Sequence, residues 1–318
     1  MPTAVELGLE PQSARAVLMV RPARFGFNPQ TAASNAFQIA PGRNAAMDQQ
    51  LQASVEFDHM AQALQRAGVE VLVAADTHDP AKPDAIFPNN WVSFHGDGTV
   101  VLYPMMALNR RWERREDILQ QVVSEGRFHV SRTIDLTHRE TEGKFLEGTG
   151  SMVLDRTHRM AYANPSPRTG LDVLGEFAQL LDYELAIFDA LDAVGQPVYH
   201  TNVVMAIGSR FAVVCGEAIA HAQHRSAVFS KLRGTGHDIV DLSLAQMRDF
   251  AGNVLELAAP GGPVLAISTT ALRSLDPAQR RVLETHAGLL PLDVPTIERF
   301  GGGGVRCMLA EVHLPKRD

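Results

Sequence analysis

A chain with two cysteines can offer a nucleophilic thiol at only two positions, Cys215 and Cys307. Cys307 follows four consecutive glycines in FGGGGVRCMLAEVHLP, Phe300–Pro315. Glycine takes positive φ readily and lets a ligand or another strand approach, so a thiol placed there can face a pocket unobstructed. A flexible turn leading to a buried core cysteine accounts for the same residues equally well, since free cysteine is among the most buried residue types. Cys215, inside AVVCGE, reads as strand core. His200, in VYHTN beside Thr201 and Asn202, supplies the ring a thiol nucleophile needs, because imidazole exchanges protons near neutral pH. As one of twelve histidines it also reads as an interior residue with satisfied nitrogens.

Glu147, in FLEGTGS, is a carboxylate in an apolar and small-residue setting. Such a group is costly to bury unless paired, so it either binds substrate N–H groups or sits in a loop beside a glycine turn. Asn89 and Asn90, in FPNN, offer amide donors and acceptors, or else form an Asx turn. Three arginines are candidates for forking onto a substrate carboxylate: Arg168 in SPRTG, Arg110 as the inward member of the otherwise solvated NRRWERRED run, and Arg21 at the end of the first strand. Metal binding reads poorly: His221 and His224 stand three apart, but no HExxH or cysteine cluster supports them. Neither a Walker motif nor a GxGxxG after a strand is present, and the glycine run is too irregular for a nucleotide fingerprint.

These residues must be positioned by strands and helices that alternate along the whole chain, which defines an α/β or α+β protein. Strands are predicted at Ala16–Pro22, Val69–Ala75 and Val264–Thr269, and through VRCMLAEVHL. Met47, Leu51, Val55, Met60 and Leu64 recur at helix-like spacing, with Gly68 as a C-terminal stop. Arg115–Glu125, Leu171–Leu181 and Leu244–Leu257 are predicted helices. Three segments read as strand, turn, strand: Trp91–Pro104, Ser151–Pro165 and Val203–Glu217. Each follows a short polar motif, FPNN, LEGTG or YHTN, at intervals of roughly fifty to sixty residues, and GGGGVRC reads as a fourth copy. Units packed around an axis would bring four such motifs to one centre.

The totals bound the function. A chain of 318 residues, 45% hydrophobic and 20% charged, has ordinary globular composition and ample length for a large core. A net charge of −7 argues against a nucleic-acid partner, and no apolar run is long enough to span a bilayer. The N-terminal residues do not form a secretory signal. The scarcity of cysteine argues against a disulfide scaffold and for a reducing, cytoplasmic setting. With no stretch of linker composition, a single catalytic domain over residues 1–318 is expected, behind a loose lead at 1–14. Self-association into a homo-oligomer is left open.

In sequence order, MVRPARFGFNPQTAASNAFQ, FPNNWVSFH, LEGTGSMVLDR, YHTNVVM and GGGVRCMLAE resemble the guanidino-group-modifying superfamily of arginine deiminases, dimethylarginine hydrolases and amidinotransferases. The closer resemblance is to its citrulline-utilisation hydrolase branch, and it extends from about Ala16 to Pro315. It implies the pentein fold, a five-bladed α/β propeller with pseudo-fivefold symmetry and a central active site. It further implies that Cys307 is the nucleophile, that His200 is the general acid and base, that Glu147 holds substrate nitrogens and that Arg168 grips the α-carboxylate. Deiminases carry aspartate where this chain has Asn90 and Asn202. Two amides in place of two carboxylates leave a buried cation undercompensated, whereas an amide can both accept from and donate to a neutral ureido group. Citrulline, a small-molecule substrate needing no cofactor, is therefore favoured over arginine, although Asp84 lies near enough in sequence to restore a charge. The alternatives are a guanidino hydrolase or amidinotransferase, and a non-catalytic propeller that binds an amino acid. A papain-like reading fails on order, since here the histidine precedes the cysteine.

Overall fold

The computed structural model describes residues 10–41 and 46–317. Its strands are β1 (Ala16–Arg21), β2 (Glu70–Ala75), β3 (Val92–Phe94), β4 (Thr99–Leu102), β5 (Arg132–Asp135), β6 (Met152–Asp155), β7 (Met160–Ala163) and β8 (Glu184–Ile187). The second half adds β9 (Met205–Ile207), β10 (Phe211–Val214), β11 (Asp238–Asp241), β12 (Leu255–Ala259), β13 (Gly262–Ser268), β14 (Gly288–Leu292) and β15 (Ala310–Val312). They form five three-stranded sheets: β15-β1-β2, β3-β4-β5, β6-β7-β8, β9-β10-β11 and β12-β13-β14.

Every sheet has the same topology. The first strand pairs antiparallel with the second, and the second pairs parallel with the third. A parallel pair needs a long crossover, and each is made by a helix: Ala46–Arg66, Glu116–Glu125, Leu171–Leu181, Ala222–Gly234 and Pro277–His286. The first strands β15 and β3, β6 and β9, and β9 and β12 abut one another, so they form the inner wall of a ring. β3, β6, β9 and β15 are buried at every residue, whereas the third strands β5, β8 and β11 are largely exposed. A strand buried on both faces is mostly apolar, and its few polar residues are paired: Ser93 with His95, Asp155 with His158 and Glu311 with Arg306. The ring is closed by the two ends of the chain, with Ala16 opposite Val312 and Leu18 opposite Ala310. This is the pseudo-fivefold α/β propeller of the pentein fold.

The N-terminal lead is anchored from Glu10 onward. Gln12 Nε2 donates to the carbonyls of Leu154 and Ile207, and Ala14 bridges Leu257. Residues 1–9 lie outside the described residues.

Three expectations about elements need correction. In the helix Ala46–Arg66, Leu51 and Val55 are exposed, and the buried stripe is Ala53, Phe57, Met60, Ala61 and Leu64. Leu51 and Met60 are nine residues apart, which at 3.6 residues per turn sets them about 180° apart on the helix. Met47 has no described side chain. The helix expected over Leu244–Leu257 stops at Arg248, and β12 begins at Leu255. Phe250 turns the chain with φ of 60°, and a Cβ at Gly252 would stand 2.4 Å from the Val203 carbonyl oxygen. The chain leaves the helix there so that Asn253 can reach the ring centre. Finally, Val305–Met308 is a 3-10 turn, and the last strand is confined to Ala310–Val312.

Candidate active site

Just before each of three inner strands, a single tight turn carries a polar motif to the centre. Pro88–Asn90 precedes β3, Gly148–Ser151 precedes β6, and Thr201–Val204 precedes β9. Glu147 and His200 are the N-cap residues of the second and third turns, so His200 heads a helical turn rather than a strand. Val305–Met308, with Cys307, does the same before β15. The fifth position, before β12, is filled by Asn253. Four converging motifs were expected; the ring has five.

These turns border a small pocket whose walls include Cys307, His200, Asn90, Arg110, Arg168 and Asp84. Gly301, Gly302 and Gly303 of the glycine run line the same pocket. Close approach is required where the second turn passes between the first and the third: a Cβ on Gly150 would lie 2.5 Å from Asn90 Nδ2 and 2.7 Å from His200 Nδ1.

Glu147, fully buried, organises the pocket. Its Oε2 is 2.9 Å from His200 Nε2 and 3.5 Å from both Arg110 Nη1 and Arg168 Nη1. Its Oε1 accepts from the Met106 backbone N–H at 3.2 Å. Burial opposes ionisation, but Arg168, the His200 hydrogen bond and Arg110 outweigh it and hold the carboxyl well below the usual carboxylate range. Glu147 thus engages Nε2, which leaves Nδ1 as the other ring nitrogen of His200. Burial lowers the His200 pKa to about 4 despite Glu147, so the ring is neutral at physiological pH. The Tyr199 ring packs on His200 at 4.6 Å between centroids, and its hydroxyl donates to the Gly302 carbonyl at 2.5 Å.

Arg110 and Arg168 are both buried, with different surroundings. Arg110 donates to Glu113 through Nε and Nη2, both at 2.9 Å, and to Asn90 Oδ1 through Nη1 at 2.9 Å. Burial, with Asp84 and Glu147 near by, pushes Glu113 up to about 7 in spite of Arg110. Arg168 is held by Ser34 Oγ and the Thr31 carbonyl, and its guanidinium lies 5.0 Å over the Tyr199 ring. Asp84 Oδ2 accepts from Asn28 at 2.7 Å and Thr31 at 3.2 Å, while its buried Oδ1 has no partner.

The sulfur of Cys307 is buried among amides. Asn253 Nδ2 approaches Sγ at 3.3 Å, and the Asn202 amide lies at 3.6 Å through Nδ2 and 3.7 Å through Oδ1. Burial raises the thiol pKa, opposed by the Asn253 hydrogen bond, Arg306 and Asn202.

Of the residues selected from sequence, the structure brings Cys307, His200, Glu147, Asn90, Asn202, Arg110 and Arg168 together. Asn89 stands behind the wall, accepting from Asn90 Nδ2 at 2.9 Å through Oδ1. Arg21 is not at the site. It forms a two-pronged pair with Asp58 on the surface, because β1 delivers its last side chain to the outer helix Ala46–Arg66. Sequence reading missed Asn253, Tyr199, Glu113 and the Thr31–Asn35 cradle. For Asn253 the signal was positional: like Asn90, it stands two residues before an inner strand. Among the described residues, no cluster of His, Cys, Asp and Glu is arranged to hold a metal ion, and no helix is long and apolar enough to cross a membrane.

A propeller of five such sheets, with a Cys, a His and a Glu carried to its centre, defines the guanidino-group-modifying pentein superfamily. The model of the family described as N,N dimethylarginine dimethylhydrolase, eukaryotic, matches residues 21–314, and the chain belongs to this family. No curated protein matches the chain by sequence. Among solved structures, apo ArgZ, an arginine dihydrolase from the ornithine-ammonia cycle in cyanobacteria, is similar at 17% identity and TM-score 0.72. The match covers 95% of this chain and 41% of ArgZ, so the chain spans about two fifths of that protein's length. The N-terminal domain of ArgZ, as a cysteine-to-serine mutant bound to substrate, matches at 17% identity and TM-score 0.70, covering 94% of this chain and 99% of the domain. A dimethylarginine dimethylaminohydrolase carrying an S-methyl-L-thiocitrulline adduct matches at 13% identity and TM-score 0.62, covering 93% of this chain and 99% of that one.

Proposed function

We propose that the protein is a cysteine-dependent C–N hydrolase that acts on the terminal ureido group of citrulline. The observation that carries the substrate choice is the orientation of Asn90. Arg110 can only donate, so the atom it meets must be Oδ1, and the amide nitrogen is turned away from it. One hydrogen of that nitrogen goes to Asn89, the other has no acceptor among the described residues, and Asn90 lines the pocket. An N–H donor matches a ureido oxygen and mismatches a guanidinium, which offers only donors.

In this reading, the Cys307 thiol passes its proton to neutral His200, and Sγ attacks the ureido carbon. The tetrahedral intermediate collapses as His200 returns the proton to the departing nitrogen. Water, deprotonated by the same ring, then attacks the thioester-like carbon and frees the sulfur, and the carbamate so formed loses carbon dioxide and releases the second nitrogen as an amine or ammonia. With one water consumed in all, citrulline gives ornithine, ammonia and carbon dioxide. Arg168, supported by Ser34 and the Thr31 carbonyl, grips the α-carboxylate as a planar fork. Glu147 keeps the histidine in the tautomer whose Nδ1 accepts.

A second reading rests on Asp84. Its unpartnered oxygen in the pocket wall is an anionic acceptor suited to a guanidinium, and the structural neighbours include an arginine dihydrolase. Incubation with citrulline, arginine and dimethylarginine, read by ornithine, citrulline and ammonia release with Cys307→Ala as control, separates the two. Equimolar ornithine and ammonia from citrulline is expected. Citrulline left intact while arginine is consumed refutes the proposal.

A further inference from the structure

We infer that Asn253 is a catalytic hydrogen-bond donor to the reacting sulfur, its amide locked nitrogen-forward so that it favours the thiolate of Cys307. Both ends of this amide are assigned by the chemistry of their partners. Its Oδ1 accepts from the backbone N–H of Arg306 at 3.1 Å, and a backbone N–H can only donate. Its Nδ2 donates to the Asn202 carbonyl at 2.9 Å, and a carbonyl can only accept. The second hydrogen on Nδ2 is therefore the one that meets Sγ at 3.3 Å. The Asn202 amide has no such lock, since its nitrogen and oxygen stand at nearly equal distances from the sulfur.

The local fold is built to bring this amide in. Phe250 at positive φ and the crowded Gly252 end the preceding helix early, and Asn253 is buried at the foot of β12. The lock also ties the Cys307 turn to its neighbours, because it takes the N–H of the residue before the cysteine and the carbonyl of Asn202. An N–H aimed at sulfur stabilises the anion more than the thiol, since the charged acceptor makes the stronger hydrogen bond. A buried thiol needs such help, because burial alone raises its pKa.

Other charged or titratable groups face the same sulfur: His200, Tyr199, Asp84, Arg110 and Arg168 from the pocket wall, and Arg306 next to it in the chain. They are common to the wild-type protein and to variants at position 253, so a difference between those proteins reports on Asn253. The inference rests on Cys307 being the nucleophile, but its test reads the thiol and not turnover. A wrong substrate assignment leaves it untouched.

The test is the pH dependence of Cys307 alkylation by iodoacetamide in the wild-type protein, Asn253→Asp and Asn253→Ala. Peptide mass spectrometry separates Cys307 from Cys215. Asn253→Asp keeps the acceptor for Arg306 N–H and replaces the donor by a carboxylate. The alkylation midpoint should rise by about one pH unit in Asn253→Ala and further in Asn253→Asp, with Cys215 unchanged. Midpoints equal to wild type in variants with native near-ultraviolet circular dichroism would overturn the inference. Should Asn253→Asp misfold, Asn253→Ala adds no charge and carries the same test. Loss of the fold in both would assign Asn253 a purely structural role and overturn it as well.

Discussion

The two cysteines of this chain are both buried, and burial raises the pKa of each. Their surroundings differ. Cys215 follows β10 in the apolar core, at the N-cap of the turn Gly216–Ala218. Burial, with the carboxylates of Glu217 and Asp241, outweighs the backbone N–H of Ala218 and pushes its thiol up to about 11. Cys307 stands at the ring centre, where Asn253, Asn202 and Arg306 all oppose the effect of burial. On the proposed mechanism, burial therefore does not distinguish a structural cysteine from a nucleophilic one. What distinguishes them is whether the groups aimed at sulfur stabilise its anion, and that depends on which turns of the ring face it.

The strongest test of this contrast is removal of each sulfur. Cys307→Ala should lower turnover by about 10⁴-fold or more, as expected for loss of a covalent nucleophile, while Cys215→Ala keeps wild-type kcat. Ornithine and ammonia release measures both, and an active Cys307→Ala protein would erase the distinction.

Glu147→Gln comes next. It unlocks His200 and leaves Arg168 and Arg110 undercompensated, so kcat should fall by roughly 10²–10⁴-fold and stability by about 3–5 kcal/mol. Steady-state kinetics and urea unfolding read the two effects separately. A smaller effect, on selectivity, is expected from Asn90→Asp. It exchanges an amide for a carboxylate at the pocket wall, and the ratio of kcat/KM for arginine to that for citrulline should rise by roughly tenfold or more. A ratio unchanged by the substitution would show that Asn90 does not choose the substrate.

The pH dependence of stability sharpens the picture of the His200 side of the site. Burial lowers the His200 pKa from 6.5 to about 4, so between those values the unfolded chain binds the proton more readily than the folded one. The stabilising contribution is present above pH 6.5 and is lost as the pH falls through this window, at about 1.4 kcal/mol per pH unit for one proton. His95 and His313 are also pushed down by burial and add to the slope. The diagnostic quantity is thus the part of the slope that His200→Gln removes, measured by urea unfolding at several pH values. The smallest effects belong to groups outside the site. Cys215→Ala should cost about 1 kcal/mol through a small cavity, and Arg21→Ala should leave KM and kcat unchanged.

Much of the architecture was legible because it rests on local patterns. The three hairpins after FPNN, LEGTG and YHTN alternate around turn residues, and they appear as β3-β4, β6-β7 and β9-β10. The repeat pointed to a central meeting place, and the resemblance supplied the number of blades. The fifth polar turn escaped notice because AGN continues an apolar helical pattern, whereas the chain leaves the helix at Arg248 and turns at Phe250 with positive φ, where Gly252 passes close to the Val203 carbonyl. Arg21 was misplaced for a related reason: the end of a strand says nothing about which neighbour its side chain will meet.

By itself, the sequence determined the succession of strands, turns and helices, and the presence of Cys307, His200 and Glu147 each next to a tight turn. Hydrophobic period and turn chemistry act over a few residues, so those features are written where they occur. Only the tertiary structure decided which amides face the sulfur, which way they point, and that Glu147 holds two arginines and a histidine together. Those contacts join residues far apart in the chain and from different blades, so no local pattern of the sequence encodes them.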